Sequence, residues 1–293
     1  MYHEVLPDDH PVAAWTVVRA SQFRAQMEFL KRHFDCVSID DARERLSPGR
    51  RLARPLAVVT FDDGYAGNLQ QALPILADLG IPAHFYVATQ SCQEQSLFWY
   101  DRIIGLLGLE RTLTVDLREH GFGEFRLNSS RTESGRWEQM QRLLEVLKTM
   151  EPAARMGAVD SISADVTAPI AFRMMTAAEI AELSRSPLAS VGGHSHTHDI
   201  LVQLDDAAVR TTLQVNRSLL EHWCGVPVTH FSYPNGDTDR RIAGIVKELG
   251  FASAVTTRPG IWSAASDPHR LPRQGIGRFA TVRYIQARLA GLV

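Results

Sequence analysis

The sequence predicts an α/β fold whose main strands run parallel. Residues 56–61 form a nearly continuous apolar run, which is typical of a strand covered on both faces. A predicted helix from Gln70 to Leu79, ended by Gly80, follows it, and residues 83–88 form a second buried strand. This strand–helix–strand order with short connections is the parallel α/β unit. Such folds commonly reach about 250 residues as one unit, so a chain of 293 residues can be a single barrel or sheet.

The elements before this unit are predicted to be short. Ser21 is expected to cap a helix that ends near His33. A short strand is expected at residues 36–39, and a short helix is expected to begin at Asp40.

The strand–helix alternation stops between about residues 90 and 180. This stretch has few strand signals and contains a predicted amphipathic helix from Arg136 to Met150, so we expect a mainly helical insertion. The alternation then returns with strands at residues 188–193, 229–233 and 252–256, separated by helices at 205–224 and 239–249. The chain, residues 1–293, is therefore predicted to be one domain that carries this insertion.

Composition and charge exclude several classes of protein. Thirty-one Lys and Arg against thirty-three Asp and Glu give a net charge of −2, without the basic excess that nucleic-acid binding requires. Cys36, Cys92 and Cys224 lie far apart, have no metal-site spacing and are expected to be reduced. There is no apolar run of about 18 residues and no secretory signal pattern. The sequence as it stands therefore predicts a cytoplasmic protein, with export as the alternative if its N-terminus is incomplete.

Two adjacent carboxylates follow the first buried strand. Asp62 and Asp63 lie where that strand ends, before Gly64, and alternation along a strand sends their side chains in different directions. In parallel folds this end of the strands carries the functional site. One carboxylate can bind a metal while the other stays free for proton transfer; the alternative is an ordinary helix N-cap.

Three histidines lie within five residues after a later strand, at 194, 196 and 198. His194 and His198 are four residues apart, and we expect a helical turn to place both imidazoles on one face, as in zinc sites. Together with a strand-end Asp they offer two nitrogens and one carboxylate, which leaves room for water. That donor set is typical of a hydrolytic metal centre.

A third strand ends in the turn Tyr233-Pro234-Asn235-Gly236. Such a sequence forms a turn in any protein. In a hydrolase it can also aim a backbone N–H at a developing oxyanion. Since proline has no N–H, the candidate donors are the amides of Tyr233 and Asn235.

These three motifs resemble the polysaccharide deacetylases, the NodB homology domains of carbohydrate esterase family 4. The resemblance rests on residues 60–64, on His194-Ser195-x-x-His198 and on Tyr233-Pro234-x-Gly236, and covers about residues 52–90 and 186–276. It implies a distorted (β/α) barrel that binds one divalent metal and hydrolyses N-acetyl groups on amino sugars. Zinc is the expected metal, with Co²⁺, Ni²⁺ and Mn²⁺ as alternatives.

Carried over by position, the resemblance assigns Asp63, His194 and His198 to the metal and makes Asp62 the general base. It favours the amide of Asn235 as the oxyanion donor, with Tyr233 as second choice.

The sequence departs from the family pattern at two places. Ser232 occupies the position of an Arg that commonly steadies the base, and Arg273 is a candidate to supply that charge from another strand. The strand that carries the usual general acid near the C-terminus has no counterpart after residue 270. A rearranged branch, which includes exopolysaccharide N-deacetylases, carries that strand at the N-terminus with a Tyr-His pair. By that resemblance His3 is the general acid, with His269 in reserve.

Other side chains near the motifs have two readings each. His196 is expected to face away from the metal or to orient a ligand. Trp99, Tyr100 and Trp262 can form an apolar floor for sugar rings or belong to the core.

The sequence thus predicts a metal-dependent hydrolase that deacetylates an N-acetylated carbohydrate. An O-acetyl esterase on the same site, a non-catalytic carbohydrate-binding relative and a structural zinc site remain as alternatives. The sequence does not predict the sugar, the linkage or the oligomeric state.

Overall fold

A computed structural model of the chain describes residues 1–10, 14–47, 49–109, 111–163 and 172–289. The strands are β1 Glu4–Leu6, β2 Val17–Arg19, β3 Asp35–Cys36, β4 Leu56–Ala57, β5 Val59–Phe61, β6 Ala83–Val87, β7 Leu113–Asp116, β8 Glu124–Leu127, β9 Ala189–Gly193, β10 His230–Ser232 and β11 Ser253–Val255. The helices are α1 Ala20–His33, α2 Ile39–Arg45, α3 Leu73–Leu79, α4 Thr89–Glu94, α5 Trp99–Ile104, α6 Glu133–Thr149, α7 Pro152–Ser163, α8 Ala177–Ser184, α9 Asp206–Cys224, α10 Arg240–Glu248 and α11 Val282–Leu289.

The chain divides into two compact units. The first comprises Met1–Asp8, Thr16–Ser96 and Met174–Val293, and the second comprises Asp9–Trp15 and Leu97–Arg173. The expected insertion, from about 90 to 180, takes in residues 90–96 and 174–180, which belong to the first unit. Residues 164–171 of that insertion lie outside the described residues.

The first unit is built on a five-stranded parallel sheet in the order β11-β10-β9-β6-β5. The sheet curls into half a barrel. Helices α8 and α9 pack against β9, and α10 packs against β11. Every residue of β5, β6, β10 and β11 is buried, as expected of strands covered on both faces. The predicted α/β fold with parallel strands is confirmed.

The N-terminal residues extend this sheet beyond β5. Tyr2 forms a parallel bridge to Phe61; its N–H donates to the carbonyl of Thr60 at 2.8 Å, and its carbonyl accepts the N–H of Asp62 at 3.0 Å. His3 is thereby placed beside the end of β5, next to the two aspartates.

The segment 271–276 links the two edges of the sheet. Leu271 forms a parallel bridge to Val255 of β11. Further along, Ile276 N–H donates to the carbonyl of Met1 at 2.9 Å. Since Met1 precedes the residue that pairs with β5, these contacts carry backbone hydrogen bonding from one edge to the other.

Two local predictions for the first unit are corrected. Ser21 does not cap α1: the helix begins at Ala20, and Asp8 Oδ1 accepts the Ser21 N–H at 3.0 Å from a distant part of the chain. The apolar run 56–61 is two strands, because β4 pairs with β3 and β5 pairs with β6.

The second unit contains an antiparallel hairpin, β7 with β8, which the mainly helical prediction missed. In β7 the exposed Thr114 and Asp116 alternate with Leu113 and the buried Val115. That two-residue period was the available signal, and it is short.

Gly192 of β9 is expected to tolerate no side chain. A Cβ there would lie 2.7 Å from Cδ1 of Tyr86 and 2.9 Å from the carbonyl oxygen of His230, so Gly192→Ala should lower the free energy of unfolding by about 1–3 kcal/mol. Gly244 in α10 has open space at its Cβ, and Gly244→Ala should raise it by about 0.5–1 kcal/mol. Urea unfolding of both variants measures this, and a neutral Gly192→Ala would contradict the packing described.

Candidate metal centre

The two adjacent aspartates lie at the carboxyl end of β5 and are buried, each with 2% of its surface exposed. Asp63 has a left-handed backbone, with φ of 80°, and Gly64 after it has φ of 100°. Because the chain turns sharply at Asp63, the two carboxylates enter different surroundings.

Asp63 meets two histidines from the loop that follows β9. Its Oδ1 lies 3.2 Å from Nε2 of His194 and 3.2 Å from Nε2 of His198. The three candidate ligand atoms lie within 4.8 Å of one another, and within the described ranges no other group of three or more His, Cys, Asp or Glu side chains is so arranged. One carboxylate and two imidazoles converging on one point fit an open zinc site, which uses three protein ligands and leaves a position for water.

The histidine pair is not carried by a helical turn, and that prediction is wrong. Residues 194–198 form a loop in which Ser195 has φ of 61° and His198 has φ of 57°. Each left-handed non-glycine residue costs about 1–3 kcal/mol. Ser195 Oγ accepts the N–H of His198 at 3.0 Å and closes the loop, which brings the two ring centroids to 4.9 Å.

Hydrogen bonding sets which nitrogen of His194 is free to bind. Its Nδ1 lies 2.7 Å from the carbonyl oxygen of Ser232, so Nδ1 donates to that carbonyl and Nε2 is the nitrogen directed at Asp63. Burial lowers the pKa of His198, which favours the neutral imidazole that metals bind. Burial alone would raise the pKa of Asp63, but hydrogen bonds from His194 and His198 outweigh it and hold that pKa well below its usual value.

Asp62 forms a buried ion pair with Arg273 from the segment 271–276. Nη1 of Arg273 donates to Oδ1 at 2.7 Å and Nη2 donates to Oδ2 at 2.6 Å, and 6% of the arginine is exposed. Ser232 Oγ donates to Asp62 Oδ2 at 3.2 Å and accepts from Arg273 Nη2 at 2.9 Å. Burial would raise the pKa of Asp62, but the charge and hydrogen bonds of Arg273 lower it to about 2. The prediction that Arg273 supplies a positive charge beside Asp62 is thus confirmed.

His3 lies near both aspartates, and His269 does not. Burial lowers the pKa of His3, although the nearby charges of Asp63 and Asp62 oppose this. Nε2 of His269 donates to the carbonyl of Phe251 at 2.8 Å, just before β11 begins. The ring of His269 is thus bonded before the start of β11, whereas Asp62 follows the end of β5, and this placement favours His3 over His269 as the candidate acid.

The two candidate oxyanion donors are the backbone amides of Tyr233 and Asn235, which lie in the turn after β10. The N–H of Tyr233 donates to the carbonyl of Val255 at 3.2 Å, which commits it to the sheet. Asn235 lies one residue beyond Pro234, with a left-handed φ of 57°, and its side-chain Nδ2 donates to Asp237 at 2.6 Å.

The other side chains singled out in the sequence are one histidine, His196, and three aromatic residues, Trp99, Tyr100 and Trp262. His196 turns its Nδ1 to Thr89 Oγ1 at 2.9 Å, away from Asp63. Trp262 donates to the carbonyl of Pro272 at 2.8 Å and packs against a buried cluster, which favours its core interpretation. Trp99, in the second unit, lies under the guanidinium of Arg155. Tyr100 stacks on Phe98 in the same unit, with 5.1 Å between centroids, and the sugar-floor role of Trp99 and Tyr100 stays a prediction.

Two polar residues of the site were missed by the sequence analysis. Thr212 and Asn216 are buried on α9 and contact the loop that carries the histidines. The available signal was their four-residue spacing on the helix stripe that also contains Val209, Leu213 and Leu220.

Comparison with known families decides the relationship. The family described as polysaccharide deacetylase matches residues 49–254, which is more than half of the chain. The chain belongs to the polysaccharide deacetylase family. A search of curated proteins finds no significant match.

Solved structures confirm the fold of this polysaccharide deacetylase. It is similar to the deacetylase PplD of Streptococcus pyogenes, with a TM-score of 0.64 and 17% identity over 98% of this chain and 95% of the other. IcaB from Ammonifex degensii gives 0.61 and 17% over 100% and 95%. The BpsB deacetylase domain from Bordetella bronchiseptica gives 0.53 and 18% over 93% and 94%. Within the described part of the chain, each helix is too short or too polar to cross a membrane.

Asp62 is expected to link the stability of this deacetylase to pH at the acid end. Its pKa in the folded protein is about 2, below the ordinary value of 3.8. A carboxyl with a lowered folded pKa contributes its stability in full above the ordinary value and loses it as the pH falls through the folded value. We expect about 2 kcal/mol to be lost in this way between about pH 4 and pH 2.

Denaturant unfolding at a series of pH values measures this loss in the wild type and in Asp62→Asn, which cannot titrate. The variant should show a shallower fall of unfolding free energy in acid. Parallel curves for the two proteins would contradict the assignment.

Proposed function

We propose that this polysaccharide deacetylase is a metal-dependent hydrolase that removes N-acetyl groups from an amino-sugar glycan or glycan precursor. The observation that carries this proposal is the meeting of Asp63, His194 and His198 beside a second buried carboxylate, Asp62, which has a different partner. Metal binding and proton transfer are thereby divided between neighbouring residues.

Asp63, His194 and His198 are the residues proposed to hold the metal, with zinc as the expected ion. The bound cation would polarise the acetamide carbonyl and make a nearby water more acidic. Two imidazoles and one carboxylate are the donor set of open zinc sites; imidazole also suits Ni²⁺, whereas Mn²⁺ prefers oxygen ligands, so Co²⁺ and Ni²⁺ are stronger alternatives than Mn²⁺. The lack of cysteine among the three disfavours a structural zinc role.

Asp62 is proposed as the general base. Arg273 keeps its carboxylate ionised, because the pKa of about 2 lies far below neutral pH. The bidentate contact and the Ser232 hydroxyl also fix the direction in which the carboxylate points. Oδ2 accepts from both Arg273 and Ser232, whereas Oδ1 accepts only from Arg273 among these bonds, so its second lone pair can take the proton.

His3 is proposed as the general acid and the amide of Asn235 as the oxyanion donor. An amine leaves as a neutral group only if it is protonated, and His3 lies beside both aspartates at the site. The Asn235 amide is preferred to that of Tyr233, because the latter already donates within the sheet.

Two other functions use the same residues. An O-acetyl esterase differs in its leaving group, since an alcohol leaves more readily than an amine. A non-catalytic carbohydrate-binding protein would not need an ionised carboxylate beside a separate metal-binding set, and the retention of both disfavours it.

Acetate release from N-acetylglucosamine oligomers and from acetylated xylan tests the proposed function. After removal of metal by a chelator and reloading with zinc, we expect acetate from the oligomers. Release from xylan alone would overturn the N-deacetylase proposal, and zinc-loaded protein that releases acetate from neither would favour the binding protein.

Substitutions in the two carboxylate environments should have separate effects. Asp62→Asn should keep the zinc content of the wild type and lose about 10²–10⁴-fold in rate, which is the usual contribution of a general base. His198→Ala should lower the zinc content itself, as measured by mass spectrometry of the metal. Asp78→Asn, at an exposed ion pair with Arg24, is the control that should change neither. Full activity in Asp62→Asn would remove Asp62 as the base.

His3→Ala should affect substrates according to their leaving groups. Loss of a general acid should slow deacetylation of the N-acetyl oligomer by about 10²–10⁴-fold. Hydrolysis of para-nitrophenyl acetate should be nearly unchanged, since its phenolate leaves without a proton. His33→Ala, at an exposed position on α1, is the control. Equal losses on both substrates would show that His3 does not act as the acid.

A further inference from the structure

We infer that Asn216, on α9, is a positioning residue for the metal centre, and that Thr212 assists it. Both side chains fix the backbone of the loop that carries His194 and His198, without belonging to the ligand set. The inference rests on the metal-dependent function proposed above and assigns part of the metal affinity to a helix behind the site.

The amide of Asn216 is fully buried and links three parts of the fold. Its Nδ2 lies 2.9 Å from the carbonyl oxygen of Val87, 2.8 Å from that of Ser195 and 3.2 Å from Thr89 Oγ1. Its Oδ1 accepts the N–H of His194 at 3.2 Å. One side chain therefore holds the end of β6, the start of α4 and the backbone on both sides of the first ligand.

Thr212 lies one turn earlier on the same helix. Its Oγ1 accepts the N–H of His196 at 3.0 Å and the N–H of Thr197 at 3.3 Å. Helix α9 thus satisfies backbone groups at the start and in the middle of the loop, since residues four apart lie on one helix face.

The loop needs such support because its conformation is intrinsically unfavourable. Ser195 and His198 both have left-handed backbones and neither is glycine. Conformations of this kind persist only where the surrounding structure fixes them. The contact is also close: a Cβ on Gly193 would lie 2.7 Å from Asn216 Oδ1, so the residue before the first ligand has no room for a side chain.

A purely structural role for Asn216 predicts a different result from a positioning role. If the amide only packs α9 against the sheet, its loss lowers stability and leaves zinc affinity unchanged. If it positions the ligands, the affinity falls as well, because residues that orient metal ligands contribute about 10–100-fold to metal affinity.

Zinc affinity, measured by competition with a chromophoric chelator, and thermal stability of the metal-free protein together test the inference. Asn216→Ala should bind zinc about 10–100-fold more weakly than the wild type. The matched control is Leu220→Ala, one turn further along α9, which removes a buried apolar side chain and should lower stability alone. Wild-type zinc affinity in a folded Asn216→Ala would overturn the inference.

A second pair of variants makes the test independent of how Asn216→Ala folds. Thr212→Val keeps the shape of the side chain and removes the hydroxyl, so it should weaken zinc binding, whereas Thr212→Ser should restore it. Equal affinities in these two variants would overturn the part assigned to Thr212. A His198→Ala variant that binds zinc as well as the wild type would overturn the proposed function, and with it the inference.

Discussion

The buried ion pair between Asp62 and Arg273 is the interaction on which the proposed site depends. Either charge alone would be costly at this depth, by several kcal/mol, and each is stabilised by the other through two parallel hydrogen bonds. The same contact ties β5 to the segment 271–276, which joins the two edges of the sheet. Ser232 adds β10 to this network. Closure of the sheet and the ionised state of the proposed base therefore have a common cause.

Neighbouring carboxylates have different chemistry here because the backbone turns between them. Asp62 faces a guanidinium, and Asp63 faces two imidazoles. The turn requires a left-handed residue at Asp63, where an aspartate is better tolerated than most residues. A small residue at position 232 suits the arrangement, since its hydroxyl contacts both members of the ion pair and its carbonyl orients His194.

The parallel βα units and the motif residues could be predicted because both follow from short stretches of sequence. Apolar runs, and helices that end at glycine, indicate parallel βα units. Polar residues that follow those runs must meet at the carboxyl ends of the strands. The shape of the histidine loop could not be predicted in this way. A four-residue spacing is compatible with a helical turn or with a loop, and the choice depends on hydrogen bonds from Thr212 and Asn216, which are distant in sequence. The contact of Arg273 with Asp62 likewise depends on how the sheet edges are joined.

The separation of Asp62 and Arg273 along the chain, 211 residues, has a consequence for biosynthesis. During translation β5 emerges from the ribosome long before the segment 271–276. Asp62 therefore cannot form its ion pair until most of the protein has been made. A nascent polypeptide can already contain both aspartates and both histidines and still lack the arginine that completes their surroundings. Premature termination before residue 273 would therefore yield a molecule whose motifs are intact but whose Asp62 lacks the arginine that orients its carboxylate.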